Sequence, residues 1–147
     1  MREHITFGFV GIGLIGGSVA KALRRVYPSC KIIVYNRSAE PRVMAINDGT
    51  ANVAVPQVDK TFNECDYIFL CTPVEKNVEY LKILKDIIKD DCIITDVGSV
   101  KGNIHKAVEE LGLKKNFIGG HPMAGSEKTS YTYANDRLVE NAYYAIT

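Results

Sequence analysis

Neither sign of charge dominates this chain: its 147 residues carry 18 basic and 17 acidic side chains, a net charge of +1. The balance excludes the polycationic surface of a nonspecific nucleic-acid binder, and an apolar share of 46% excludes a disordered charged tail. Cysteine is sparse and scattered. Cys30, Cys65, Cys71 and Cys92 form no Cys-x-x-Cys pair, which leaves zinc and thioredoxin-like chemistry without support and makes the four read as reduced core thiols. No long membrane-type run is present either. The uncharged stretch from residue 5 to 20 contains Gly8, Gly11, Gly13, Gly16 and Gly17, which weaken a signal or membrane helix, and it is shorter than the roughly 20 apolar residues of a bilayer span. The expectation is a cytoplasmic protein with no membrane or nucleic-acid partner, folded as one domain over residues 1–147 without linker or repeat.

What is present is an alternation of short β-rich runs and helical stripes, the pattern of a parallel sheet covered on both faces. Strands are predicted at Ile5–Val10, Lys31–Tyr35, weakly at Ala51–Val55, then at Asp66–Cys71, Cys92–Thr95, Asn116–Ile118 and Tyr143–Ile146. Between them, Ile15, Val19, Leu23 and Val26 recur at helical spacing until Pro28 and Ser29, and a short helix runs from about Glu40 to Asp48 before Gly49. Val78, Leu81, Leu84 and Ile88 mark a third helix, and Ile104, Ala107, Val108 and Leu111 a fourth that ends near Gly112. Six or seven strands with these crossovers predict an α/β, Rossmann-type, doubly wound, mainly parallel sheet.

Gly11-Ile12-Gly13-Leu14-Ile15-Gly16 falls between a predicted strand and a predicted helix, where a dinucleotide fingerprint belongs. Gly11 allows the tight turn, Gly13 lets a pyrophosphate approach the backbone, and Gly16 lets the helix pack on the strand, with Leu14 and Ile15 opening the helix whose N-terminus faces the phosphates. At the end of the second strand, an NAD site usually carries an acidic residue for the ribose. Here the residues are Asn36, Arg37 and Ser38. An amide can bond a ribose hydroxyl, whereas loss of the carboxylate admits a 2′-phosphate that Arg37 could pair with, so NAD and NADP both remain open. Alternatively Ser38 only caps the next helix and Arg37 is solvated.

Ligands of open α/β sheets bind beyond the carboxyl ends of the strands, which singles out three exits. Cys71-Thr72-Pro73 leaves the fourth strand, Asp96-Val97-Gly98-Ser99 the fifth, and Gly119-Gly120-His121 through Glu127 the sixth. Cys71, Thr72, Pro73, Asp96 and Gly98 are therefore candidate cofactor contacts. Cys71 reads as a small buried hydrophobe rather than a nucleophile, and Ser99 has the position of a helix N-cap, a role compatible with chemistry. Of three histidines, His4 is terminal and His105 lies on an amphipathic helix. His121 follows two glycines, precedes Pro122 and sits in a loop facing the cofactor crevice, the placement of a general base.

Gly11 to Gly17 with Ser18, Thr95-Asp96-Val97-Gly98-Ser99-Val100-Lys101, Gly120-His121-Pro122-Met123-Ala124-Gly125-Ser126-Glu127, and the closing Leu138 to Tyr144 closely resemble the N-terminal domain of prephenate dehydrogenases. The resemblance covers essentially the whole chain. It implies oxidative decarboxylation of prephenate to 4-hydroxyphenylpyruvate in tyrosine biosynthesis, with arogenate as substrate in some relatives and NAD or NADP as hydride acceptor. It also implies that His121 draws the proton from the ring hydroxyl, that Ser99 hydrogen-bonds this histidine, and that Ser126 and Glu127 line the substrate pocket. Family members continue into a helical domain that supplies cationic groups for the substrate carboxylates and most of a homodimer interface. The expectation for this chain alone is cofactor binding with little turnover.

Two other readings compete. A 3-hydroxyacid or 6-phosphogluconate dehydrogenase would make Asn36-Arg37-Ser38 a natural NADP site, but it does not need the His121 loop. A non-catalytic nucleotide-binding module would not need His121 and Ser99 together.

Overall fold

Phe7, Phe9 and Val10 give β1 (Thr6–Val10) apolar side chains on both faces, the requirement for a strand covered by helices on each side. The same holds for β2 (Lys31–Tyr35), in which Ile32 to Tyr35 are all buried. The computed structural model describes residues 4–98, 101–122, 130–140 and 144–146. After β2 come β3 (Val53–Val55), β4 (Tyr67–Leu70), β5 (Ile93–Asp96) and β6 (Phe117–Ile118). The helices are α1 (Leu14–Val26), α2 (Ala39–Asn47), α3 (Val74–Leu84) and α4 (Gly102–Glu110). A 3-10 turn at Lys60–Glu64 precedes β4.

All six strands pair in parallel, in the order β3-β2-β1-β4-β5-β6. The chain winds outward in one direction from β1 and in the other from β4, so the switch point lies between these two strands. On one face Phe7, Phe9, Ile32 and Val34 pack with Ala20 of α1 and Ala45 of α2, and Phe9 stacks on Phe69 at 4.9 Å. On the other, Val10, Ile33, Ile68, Leu70 and Ile94 meet Leu81 and Leu84 of α3 and Ile104 and Val108 of α4. The Rossmann-type architecture expected from the alternation is thus present, with six strands in the main sheet.

Three details differ from the sequence pattern. Helix α3 starts before its apolar stripe and stops at Leu84, so Ile88 lies in the turn beyond it while still packing on the core. His121 lies in a short strand, β7 (Gly120–Pro122), rather than in an open loop. The final apolar run, β8 (Tyr144–Ile146), pairs antiparallel with β7 and forms a separate two-stranded ribbon instead of extending the main sheet. No helix among the described residues is long and apolar enough to cross a membrane.

Candidate functional site

Tyr35, Val10, Leu70 and Asp96 stand side by side in register at the carboxyl ends of β2, β1, β4 and β5. The next residues along each strand, Asn36, Gly11, Cys71 and Val97, consequently line one edge of the sheet. Gly11 donates its N–H to Tyr35 O and Cys71 donates to Val10 O, which carries the ladder one step past the strands.

Gly11 has φ +96, and a Cβ there would stand 2.8 Å from Thr72 Cγ2. A Cβ on Gly16 would stand 2.5 Å from the Gly11 carbonyl oxygen. Only bare backbone fits at both positions, and α1 is thereby seated directly over the turn. Gly13 occupies the N-cap position of α1, no side chain caps the helix, and its first turn contains no acidic residue. The amides of Leu14, Ile15 and Gly16 point out of the helix with no acceptor one turn earlier, a cradle for an anion. These features fit a dinucleotide pyrophosphate.

Asn36 is tied into the fold. Its Oδ1 accepts from Ile12 N at 3.2 Å and its Nδ2 donates to Ser38 O at 3.2 Å, while Arg42 donates to its carbonyl at 3.0 Å. The amide therefore props the glycine turn from beneath. Arg37 and Ser38 are exposed beside it, and Ser38, at the N-cap position of α2, makes no side-chain cap bond.

At the end of β4, Thr72 N and the Thr72 hydroxyl both donate to Asn77 Oδ1, in the first turn of α3. With its proton committed there, the Thr72 oxygen keeps acceptor capacity, the complement of a ribose hydroxyl. Asn77 is fully buried, and its Nδ2 is unpartnered among the described side chains. Cys71 is half-buried, and burial pushes its thiol well above the usual range, with the nearby Asp96 carboxylate adding to the effect. It serves as packing beneath Gly16, where its Sγ is 3.2 Å from a would-be Cβ. Pro73 is exposed at the N-cap position of α3.

The exit of β5 is built around Asp96, whose side chain is completely buried. Its two oxygens lie 2.7 Å from Lys101 Nζ, Gly98 N donates to Oδ2 at 3.2 Å, and Gly120 N donates to Oδ1 at 3.1 Å. His121 sits next to Gly120, and its Nδ1 lies 3.4 Å from Val97 O, which can only accept, so the hydrogen bond selects the tautomer with Nδ1 as donor. Ser99, Ser126 and Glu127 lie outside the described residues. Among the described residues no group of three or more potential metal ligands occurs.

A family model described as the nucleotide-binding domain of prephenate dehydrogenase matches residues 19–147. The chain belongs to the prephenate dehydrogenase family. It is 39% identical over 141 residues to the prephenate dehydrogenase of Lactococcus lactis subsp. cremoris, which covers 94% of this chain and 39% of that protein. Among solved structures, prephenate dehydrogenase from A. aeolicus in complex with hydroxyphenyl propionate and NAD+ superposes with a TM-score of 0.90 at 35% identity, over 97% of this chain and 50% of the other. Arogenate dehydrogenase from Synechocystis gives a TM-score of 0.88 at 33% identity, again over 97% and 50%. This prephenate dehydrogenase family chain thus spans about half or less of the relatives it matches.

Two participants in the site were not singled out from sequence. Asn77 lies four residues after Pro73, inside a stripe that reads only as helix. Lys101 ends the second motif, where nothing local marks it as buried, yet its side chain is only 13% exposed.

Proposed function

We propose that the chain is the nucleotide-binding domain of a two-domain dehydrogenase that oxidises and decarboxylates prephenate to 4-hydroxyphenylpyruvate, on the route to tyrosine. The observation that carries this reading is the His121–Val97 hydrogen bond at the same sheet edge as the glycine turn. With Nδ1 donating to a carbonyl, the imidazole presents Nε2 as its proton acceptor. His121 is thereby equipped to take the ring hydroxyl proton as hydride leaves the carbon that bears it, after which loss of carboxylate aromatises the ring. A positioned base typically contributes about 10²- to 10⁴-fold. The nicotinamide, when bound, supplies the hydride acceptor.

Gly11, Gly13, Leu14, Ile15 and Gly16 are proposed to hold the pyrophosphate, and Thr72 a ribose hydroxyl. Cys71, Pro73, Asp96 and Gly98 shape the crevice floor. Because Asn36 is engaged under the turn and residues 36–38 supply no carboxylate, Arg37 and Ser38 favour the 2′-phosphate of NADP over the bare ribose of NAD. Ser99, Ser126 and Glu127 remain proposed substrate-side contacts, as the family resemblance implies. The reading includes a further helical domain that completes the pocket and the homodimer. It also includes a cytoplasmic location, supported by four free cysteines.

The test is prephenate-dependent reduction of the dinucleotide by the two-domain enzyme and its His121→Asn variant. The expected result is a loss of about 10²-fold or more in kcat with cofactor affinity retained. Undiminished turnover in the variant refutes the assignment.

A further inference from the structure

We propose that Lys101 and Asp96 are positioning residues that set the orientation and tautomer of His121. The Asp96 carboxylate and the Lys101 ammonium together occupy both polar atoms of Gly120: its N–H donates to Asp96 Oδ1 and its carbonyl accepts from Lys101 Nζ. The same carboxylate takes the Gly98 N–H. Gly98 follows Val97 and Gly120 precedes His121, so one ion pair grips the chain beside each end of the His121–Val97 hydrogen bond. Gly120 has no side chain with which to fix its own position, and among the described residues β7 is joined to its ribbon partner by three residue pairs. The ion pair ties this ribbon to the exit of β5 alongside the His121–Val97 bond.

The burial of the pair points the same way. Asp96 is wholly enclosed and Lys101 nearly so, and a buried ion pair of this kind adds little stability over apolar residues of equal volume. Geometric definition is what it supplies in return. A carbonyl acceptor at Nδ1 stays in place only while Val97 and His121 keep their separation. At 3.4 Å, that bond has little slack before it is lost.

The catalytic consequence rests on the reading of His121 given above; the structural claim does not, and the experiment reads the two separately. The chain, labelled with nitrogen-15, is examined by long-range proton–nitrogen correlation of the neutral His121 ring. The wild type is expected to show a single Nδ1–H tautomer. Lys101→Met is expected to show a mixture shifted toward Nε2–H, with dinucleotide affinity unchanged, and Lys101→Arg is expected to restore the single form. Should Lys101→Met fail to fold because it strands the Asp96 charge, the double variant Asp96→Asn/Lys101→Met removes both charges and is expected to show the same mixture. In the two-domain enzyme, Lys101→Met should lower kcat about 10²-fold without raising the KM for dinucleotide, with recovery in Lys101→Arg. A single Nδ1–H tautomer in Lys101→Met or in the double variant overturns the positioning claim. Retained tautomer mixing with full turnover instead overturns the catalytic reading of His121.

Discussion

Tyr131 lies so close against α1 that a Cβ on Gly17 would stand 2.6 Å from Tyr131 Cδ1. The contact belongs to a strap formed by residues 130–136, which runs back over α1 after β7. Asn135 N donates to the Ser18 hydroxyl at 3.1 Å, Tyr131 OH donates to Asp48 at 2.8 Å, and Arg25 pairs with Asp136 at 2.9 Å. The run Gly16-Gly17-Ser18 thus does two jobs: Gly16 faces the dinucleotide turn, and Gly17 and Ser18 seat the strap.

It follows that Gly17→Ala overpacks the Tyr131 contact and should destabilise the chain by about 1–3 kcal/mol. Urea denaturation measures this. Because the clash is with Tyr131 and Ala134 and not with the turn, the dinucleotide affinity of the folded fraction should be unchanged.

Asp48 makes the strap sensitive to acid. Burial works against its charge, but hydrogen bonds from Lys21, Thr50 and Tyr131 outweigh it and hold the carboxyl below its ordinary value. A carboxyl depressed in the folded state adds stability that is present above its unfolded pKa of about 3.9 and is lost as pH falls through the folded value. Since the pair with Lys21 is partly exposed, the contribution is about 0.5–1 kcal/mol. Unfolding free energies measured from neutral pH down to about pH 3 should fall less steeply in Asp48→Asn than in the wild type.

Burial raises the thiols of Cys30, Cys65 and Cys71, and pushes Cys92 up to about 12. At about pH 8 they are protonated and poor nucleophiles. Iodoacetamide should therefore label the native chain slowly at all four positions and promptly once the chain is unfolded, as counted by mass spectrometry.

Much of this arrangement was legible in the sequence, because β1 and β2 are runs of residues buried on both faces, β4 is a continuous apolar run, and the glycine spacing fixes where the turn must lie. The role of Asn36 was not legible. From sequence its amide is one that can bond a ribose hydroxyl; that its Oδ1 also accepts from Ile12 N is a contact between residues 24 apart that no local pattern encodes. Lys101 was hidden for the same reason: its partners, Asp96 and Gly120, come together only when β7 returns beside β5. The separate β7–β8 ribbon could not be told from a seventh sheet strand, since a three-residue apolar run carries no signal for its partner.

Replacing Arg37 by Ala should weaken NADP about tenfold or more and leave NAD within experimental error, as expected for loss of one charge-assisted phosphate contact. Competition between the two dinucleotides on the wild type and the variant reports the ratio directly.

The central claim is that the turn from Gly11 to Gly16 binds a nicotinamide dinucleotide, and calorimetric titration of the chain with NADP and NAD tests it most directly. The expected result is saturable one-site binding, tighter for NADP, that disappears in Gly11→Val because a side chain there collides with Thr72 at a backbone angle of φ +96. Failure of the folded wild-type chain to bind either dinucleotide, or equal binding by a folded Gly11→Val variant, would contradict it.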